Sequence, residues 1–151
     1  MYITQNPITL DYFFSVSPGN SCGAMASFVG LVRNHDEGRM VKRLYYECYF
    51  PMAEKMIGNL IAQAHEKWKL NEIRVLHRVG QLAIGEIAVA IAVGSAHREE
   101  AFECCRFLIE RIKHEVPIWK KQIFEDGESE WVLCGHDNGV GASRRLARTS
   151  V

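Results

Sequence analysis

Apolar and polar residues change period several times along the chain. Residues 51–68 carry Ala53, Met56, Ile57, Leu60, Ile61, Ala64 and Trp68 as one stripe at helical spacing, and Pro51 suits the first turn. Residues 97–115 repeat the pattern, with Ala101, Phe102, Cys105, Ile109 and Ile112 expected to face inward, until Pro117 stops the helix. Alternation predicts strands elsewhere, over 22–33, 41–49, 72–78, 86–94, 118–124 and 131–134. In 86–94, Ile87, Val89, Ile91 and Val93 share one face, and the alanines opposite permit close packing of another element.

The connections carry their own signals. Thr9 stands where it can cap a short helix whose apolar face is Leu10, Phe13 and Phe14. Ser17-Pro18-Gly19-Asn20 reads as a turn, and Asn34 to Gly38 as a polar loop. Strands and helices mix without strict alternation, which favours an α+β domain. The segment 135–151 has no long apolar run and three arginines, Arg144, Arg145 and Arg148. It is expected to be a flexible basic tail or a short peripheral helix, outside a domain over 1–134.

Length and charge narrow the picture. A chain of 151 residues has room for one core. Its 18 Lys and Arg balance 18 Asp and Glu, which disfavours a non-specific nucleic-acid binder and a polybasic membrane anchor. The apolar run over 84–96 is too short to span a bilayer, and residues 1–9 lack a signal-peptide pattern. Five cysteines without paired spacing suit a reducing compartment, so a cytoplasmic protein is expected. The absence of Cys-x-x-Cys and His-Glu-x-x-His disfavours a zinc site, and no Walker-type phosphate loop or Gly-x-Gly-x-x-Gly occurs. Cys105 reads as core, with Cys104 at its flank, and His65, His77, His114 and His136 read as structural or surface residues.

Three places can carry chemistry. His97 and Arg98 fall where a strand hands over to a helix. The helix dipole disfavours a cation there, so Arg98 is either solvated beside Glu99 and Glu100 or part of an anion site. Lys120 and Lys121 are neighbours on a strand and must point to opposite faces, one to a pocket and one to solvent. Arg33 ends a strand before the polar loop.

Together these blocks resemble a known family. Gly23-Ala24, the run Phe28 to Asn34, Leu44-Tyr45-Tyr46-Glu47 and Met52-Ala53 form its first half. His77-Arg78-Val79-Gly80, Gly85-Glu86, Ser95-Ala96-His97-Arg98, Ala101-Phe102, Lys113 and Pro117-Ile118-Trp119-Lys120-Lys121 form the second. In order and spacing they resemble the large, catalytic subunit of molybdopterin synthase, from about residue 2 to 134. The resemblance implies an α/β-hammerhead fold and a homodimer that binds a small ubiquitin-like subunit at either end, a heterotetramer. It implies sulfur transfer from the small subunit's C-terminal Gly-Gly thiocarboxylate to cyclic pyranopterin monophosphate, with two transfers making the molybdopterin dithiolene. No metal or organic cofactor is implied. Arg33, His97 and Arg98 match the group around the phosphate, and Lys113 and Lys120 the catalytic pocket lysines. Lys121 matches a basic position without a clear catalytic role, and Gln122 stands where the family often has Glu.

Helix geometry tests this assignment. Arg98 and Lys113 lie about 22 Å apart along one helix, so they serve either two sites or one site shared between subunits. Two other readings have tests of their own. A non-catalytic relative that binds a pterin or a ubiquitin-like tail need not keep both lysines. A persulfide sulfurtransferase using Cys22 or Cys48 would be inactivated by alkylation.

Overall fold

Strand β7, Ile87–Ser95, is the most buried element, and the rest is arranged around its two faces. The computed structural model describes residues 1–15, 17–133 and 145–150. In chain order these form β1 (Ile3–Thr4), α1 (Leu10–Phe14), β2 (Ala24–Leu31), β3 (His35–Asp36), β4 (Arg39–Cys48), α2 (Phe50–Lys67), β5 (Glu72–Arg78), β6 (Gly80–Ala83), β7, α3 (Arg98–Glu115), β8 (Ile118–Phe124), β9 (Glu128–Leu133) and β10 (Arg145–Ser150). The architecture is α+β, with two long helices on mixed and antiparallel sheets.

The first sheet has the order β1-β5-β7-β2, with β1 parallel to β5 and the other pairs antiparallel. Val89, Ile91 and Val93 of β7 enter the main core with Ile57 and Leu60 of α2 and Leu108 and Ile112 of α3. Ala90 and Ala92 form the other face, and their small side chains let Ile8 and Phe13 close over them. Of the expected α1 face, Phe13 is buried and Leu10 is exposed. Thr9 occupies the N-cap but its side chain makes no capping bond. Glu54 of α2 accepts hydrogen bonds from the Tyr2 and Ile3 amides at 2.7 and 2.8 Å and so fastens β1 to the helix.

The second sheet runs β10-β9-β8-β4-β3, with β6 also paired to β4. Asn34 to Gly38, expected as a loop, instead turns β3 back on β4 through Glu37 (φ 48°) and Gly38 (φ 79°). Two positive φ values match the twist of a tight hairpin, and glycine adopts them without a Cβ penalty. The short strands β1 and β6 fall outside the expected set. Residues 145–150 form a strand antiparallel to β9 rather than a peripheral helix. Cys134 and the first part of the expected tail lie outside the described residues.

Helix α3 differs in detail from its expected face. Ala101, Cys104, Cys105, Leu108 and Ile112 are buried, whereas Phe102 is exposed. Cys104 is therefore core rather than flank. Burial pushes its thiol up to about 12 and that of Cys105 up to about 11. No helix among the described residues is long and apolar enough to cross a membrane.

Candidate active site

Strand β8 sorts its residues by alternation. Lys120 lies opposite Tyr46 of β4 and Val132 of β9, while Lys121 lies opposite Tyr45 and Trp131. Ile118, Lys120 and Gln122 line a cleft of about 630 Å³. Lys121 points the other way, with its Nζ 5.7 Å from the Trp131 ring centre, and the Trp131 and Tyr45 rings meet edge to face. One lysine thus faces the cleft, and the other packs on an aromatic surface rather than standing free in solvent.

Separate segments bring two more cations to the same cleft. Lys113 stands in the last turn of α3, where the helix dipole favours positive charge. Val116 closes that turn through its amide to the Ile112 carbonyl at 3.1 Å, and the chain leads at once into β8. Arg33 follows β2, and its Nη2 lies 3.2 Å from Oδ1 of Asp36 on the hairpin. Its side chain is 69% exposed, so the pair is a weak, solvent-screened tether. Phe28, Ile109, Ile118 and Val132 supply apolar wall. The cleft therefore offers three cationic donors beside apolar surface, a chemistry suited to a flat ring that bears an anion.

His97 and Arg98 do not line this cleft. His97 is the N-cap of α3 and Arg98 its first residue, at the far end of the helix from Lys113. The connection into the helix is held from two sides. Ser95 Oγ donates to the His97 carbonyl at 2.5 Å, and the Gly23 amide donates to the Ser95 carbonyl at 2.9 Å. A Cβ on Gly23 would collide with the Ala96 carbonyl oxygen, so only glycine fits there.

The cleft also contains a histidine that the sequence reading left among structural or surface residues. His77 is 7% exposed and lines the cleft floor from β5. Its Nδ1 lies 2.8 Å from the Arg78 carbonyl. A carbonyl only accepts, so Nδ1 carries the proton and Nε2 carries the lone pair. The ring meets Tyr46 edge to face at 5.2 Å. Burial, with the nearby charge of Lys113, brings its pKa down to about 4, against the upward pull of the Arg78 carbonyl. His77 is thus neutral at physiological pH. The available signal was its alternation with Val75 and Ile73 on one face of β5, which places it inward. His114 lines the cleft as well.

Two of the blocks quoted from the sequence, at Arg78 and at Glu86, prove to be supports. Arg78 Nη1 pairs with Glu86 Oε1 at 2.9 Å, and Glu86 Oε2 accepts from the Ala83 amide at 2.7 Å. These bonds hold the Glu86 carboxyl below its ordinary value and link β5, β6 and β7 beneath His77. Among the described residues, no group of three or more His, Cys, Asp or Glu side chains converges on a metal position.

The fold and cleft define an α+β protein with a cation-lined pocket between a helix end and a sheet. The model of the MoaE protein family matches residues 3–115. The chain is 45% identical over 130 residues to the molybdopterin synthase catalytic subunit of Bacillus subtilis (strain 168), covering 86% of this chain and 82% of that one. It is 40% identical over 128 residues to the protein of the same name from Bos taurus, covering 85% and 68%. The crystal structure of molybdopterin synthase from Staphylococcus aureus superposes with a TM-score of 0.80 at 41% identity, over 86% of this chain and 94% of that chain. This chain belongs to the MoaE protein family.

Proposed function

We propose that the chain is the catalytic subunit of a molybdopterin synthase. It transfers sulfur from the C-terminal Gly-Gly thiocarboxylate of a small ubiquitin-like subunit to cyclic pyranopterin monophosphate. The observation that carries this reading is the convergence of Arg33, Lys113 and Lys120, from three separate segments, on one cleft. Relatives similar over most of the chain bear the name catalytic subunit, which supports both the activity and a partner subunit.

The chemistry follows from charge placement. The thiocarboxylate sulfur attacks an oxygen-bearing ring carbon and forms an acyl–sulfur–carbon link as that carbon's bond to oxygen breaks, the oxygen leaving as the opened phosphate ester in one transfer and as water in the other. Water then cleaves the acyl–sulfur bond, returning a carboxylate to the small subunit and leaving sulfur on the ring. Two such transfers give the dithiolene. Arg33 holds phosphate as a cationic donor. Lys113 contacts the Gly-Gly tail and the reacting centre. Lys120 stabilises developing charge or moves a proton at the ring. The sulfur arrives already activated, so the scheme calls on no thiol, metal or organic cofactor of this chain.

His97 and Arg98 complete the phosphate site from the second subunit of a homodimer, within a heterotetramer containing two small subunits. The distance along α3 supports this sharing. The catalytic unit covers 1–134, with Arg145–Ser150 added to the edge of its second sheet as β10, and the protein works in the cytoplasm, where its thiols stay reduced.

The test is reconstitution. Purified chain, thiocarboxylated small subunit and cyclic pyranopterin monophosphate are mixed, and products are followed by mass spectrometry. The expected result is a ring product heavier by two sulfur transfers and a small subunit returned to its carboxylate form. An unchanged thiocarboxylate after prolonged incubation would overturn the proposal in favour of a non-catalytic binding relative.

A further inference from the structure

Arg33, Lys113 and Lys120 only donate hydrogen bonds. They satisfy a phosphate or a carbonyl oxygen but receive nothing from an N–H group. Asp36, Glu37 and Glu110 are the acidic groups that line the cleft. Asp36 is paired with Arg33, Glu110 with Arg106, and Glu37 sits on the exposed hairpin turn. A pterin ring nevertheless presents N–H groups alongside its phosphate.

His77 supplies what the three cations lack, beside the Gln122 amide oxygen, which is buried in the cleft lining without a hydrogen-bond partner. It is buried in the cleft lining, its ring is held by the Arg78 carbonyl and an edge-to-face contact with Tyr46, and its proton is fixed on Nδ1. That tautomer makes Nε2 an acceptor without charge. A carboxylate in the same place would cancel part of the positive field that draws the anion in, whereas a neutral imidazole does not.

We propose that His77 determines ligand specificity, its Nε2 accepting a hydrogen bond from a ring N–H of the bound heterocycle. The inference rests on the function proposed above, since it takes the ligand to be a pterin. Through it, the cleft separates a phosphate-bearing pterin from other small phosphates of similar charge.

Calorimetric titration of the full chain tests this with two probes, cyclic pyranopterin monophosphate and inorganic phosphate. The comparison is between wild type, His77→Phe and His77→Gln. His77→Phe keeps a flat ring against Tyr46 but removes the acceptor, and pterin affinity should fall about tenfold, the worth of one hydrogen bond. Phosphate affinity should stay unchanged. His77→Gln restores an acceptor and should recover part of the pterin affinity. In turnover with thiocarboxylated small subunit, His77→Phe should raise KM and leave kcat near wild type, because the bond is made in ground and transition state alike. If His77→Phe does not fold, His77→Met replaces it with the same expectation.

Wild-type pterin affinity in the folded variant overturns the inference. So does an equal loss of both probes, which would mean that His77 only shapes the cleft. A wild-type chain that binds phosphate but ignores the pterin overturns the functional reading itself, and this inference with it.

Discussion

Arg98 opens helix α3 and Lys113 stands in its last turn, so about 22 Å of helix separates them. Only Lys113 lines the cleft. If both serve one ligand, each functional site draws on two subunits. Mixing an Arg98→Ala chain with a Lys113→Ala chain then creates hybrid dimers with one intact site. A random mixture should recover about a quarter of wild-type turnover, although each variant alone is inactive. Native mass spectrometry verifies the hybrids, and their inactivity would argue against a shared site.

Lys120 and Lys121 test the two faces of β8. Lys120→Ala should lower turnover by about 100-fold or more, the scale of a lost acid–base or electrostatic group. Circular dichroism and small-subunit binding should stay as in wild type. Lys121→Ala, on the Trp131 side, should keep near-wild-type kcat. The reverse ranking in steady-state kinetics would mean that the wrong lysine has been placed at the reacting centre.

The buried imidazole makes stability depend on pH. His77 binds its proton at about 4 in the folded chain, and near 6.5 when unfolded. Between those values the unfolded state holds more protons, so stability falls as pH is lowered. The full effect is present above about 6.5, and up to about 3 kcal/mol is lost on acidification towards 4. Urea midpoints for wild type and His77→Gln should converge as pH drops through this window. Parallel curves would show that His77 does not titrate this way.

Arg39 offers a prediction about the scaffold. Its Nη2 reaches Asp126 at 3.1 Å and Glu128 at 3.0 Å, and its guanidinium lies 3.6 Å over the Phe124 ring centre. One side chain thus ties β4 to the turn between β8 and β9. Arg39→Ala should cost about 1–2 kcal/mol, from a cation–π contact and a partly buried double ion pair. Chemical denaturation measures this, and a loss well under 0.5 kcal/mol would class the contacts as ordinary surface pairs.

Periodicity made the long elements legible. The expected strands 72–78 and 118–124 coincide with β5 and β8, and the separation of Lys120 from Lys121 follows from alternation alone. Helix α3 was found, but its buried face was misplaced at Phe102 and Cys104. Both residues are apolar enough for either side, and packing against β2 and β7 decides between them. The hairpin at Glu37-Gly38 was hidden because its first strand is two polar residues long, His35–Asp36. His77 was read as structural or surface because a lone histidine carries no local signal of its role. Its importance comes from β4, β5 and the end of α3 meeting, which are remote in sequence. The cleft cations were legible only as a matched set, since each alone resembles a surface residue.

The buried pair Cys104 and Cys105 bears on a hazard of the proposed chemistry. An acyl group joined to sulfur is open to capture by any neighbouring thiolate, which would strand the carrier subunit as a covalent adduct. With thiols held up near 12 and 11, neither cysteine supplies a thiolate at neutral pH. The helix that presents Lys113 to the cleft therefore adds no competing thiolate of its own, and the acyl group is left to water.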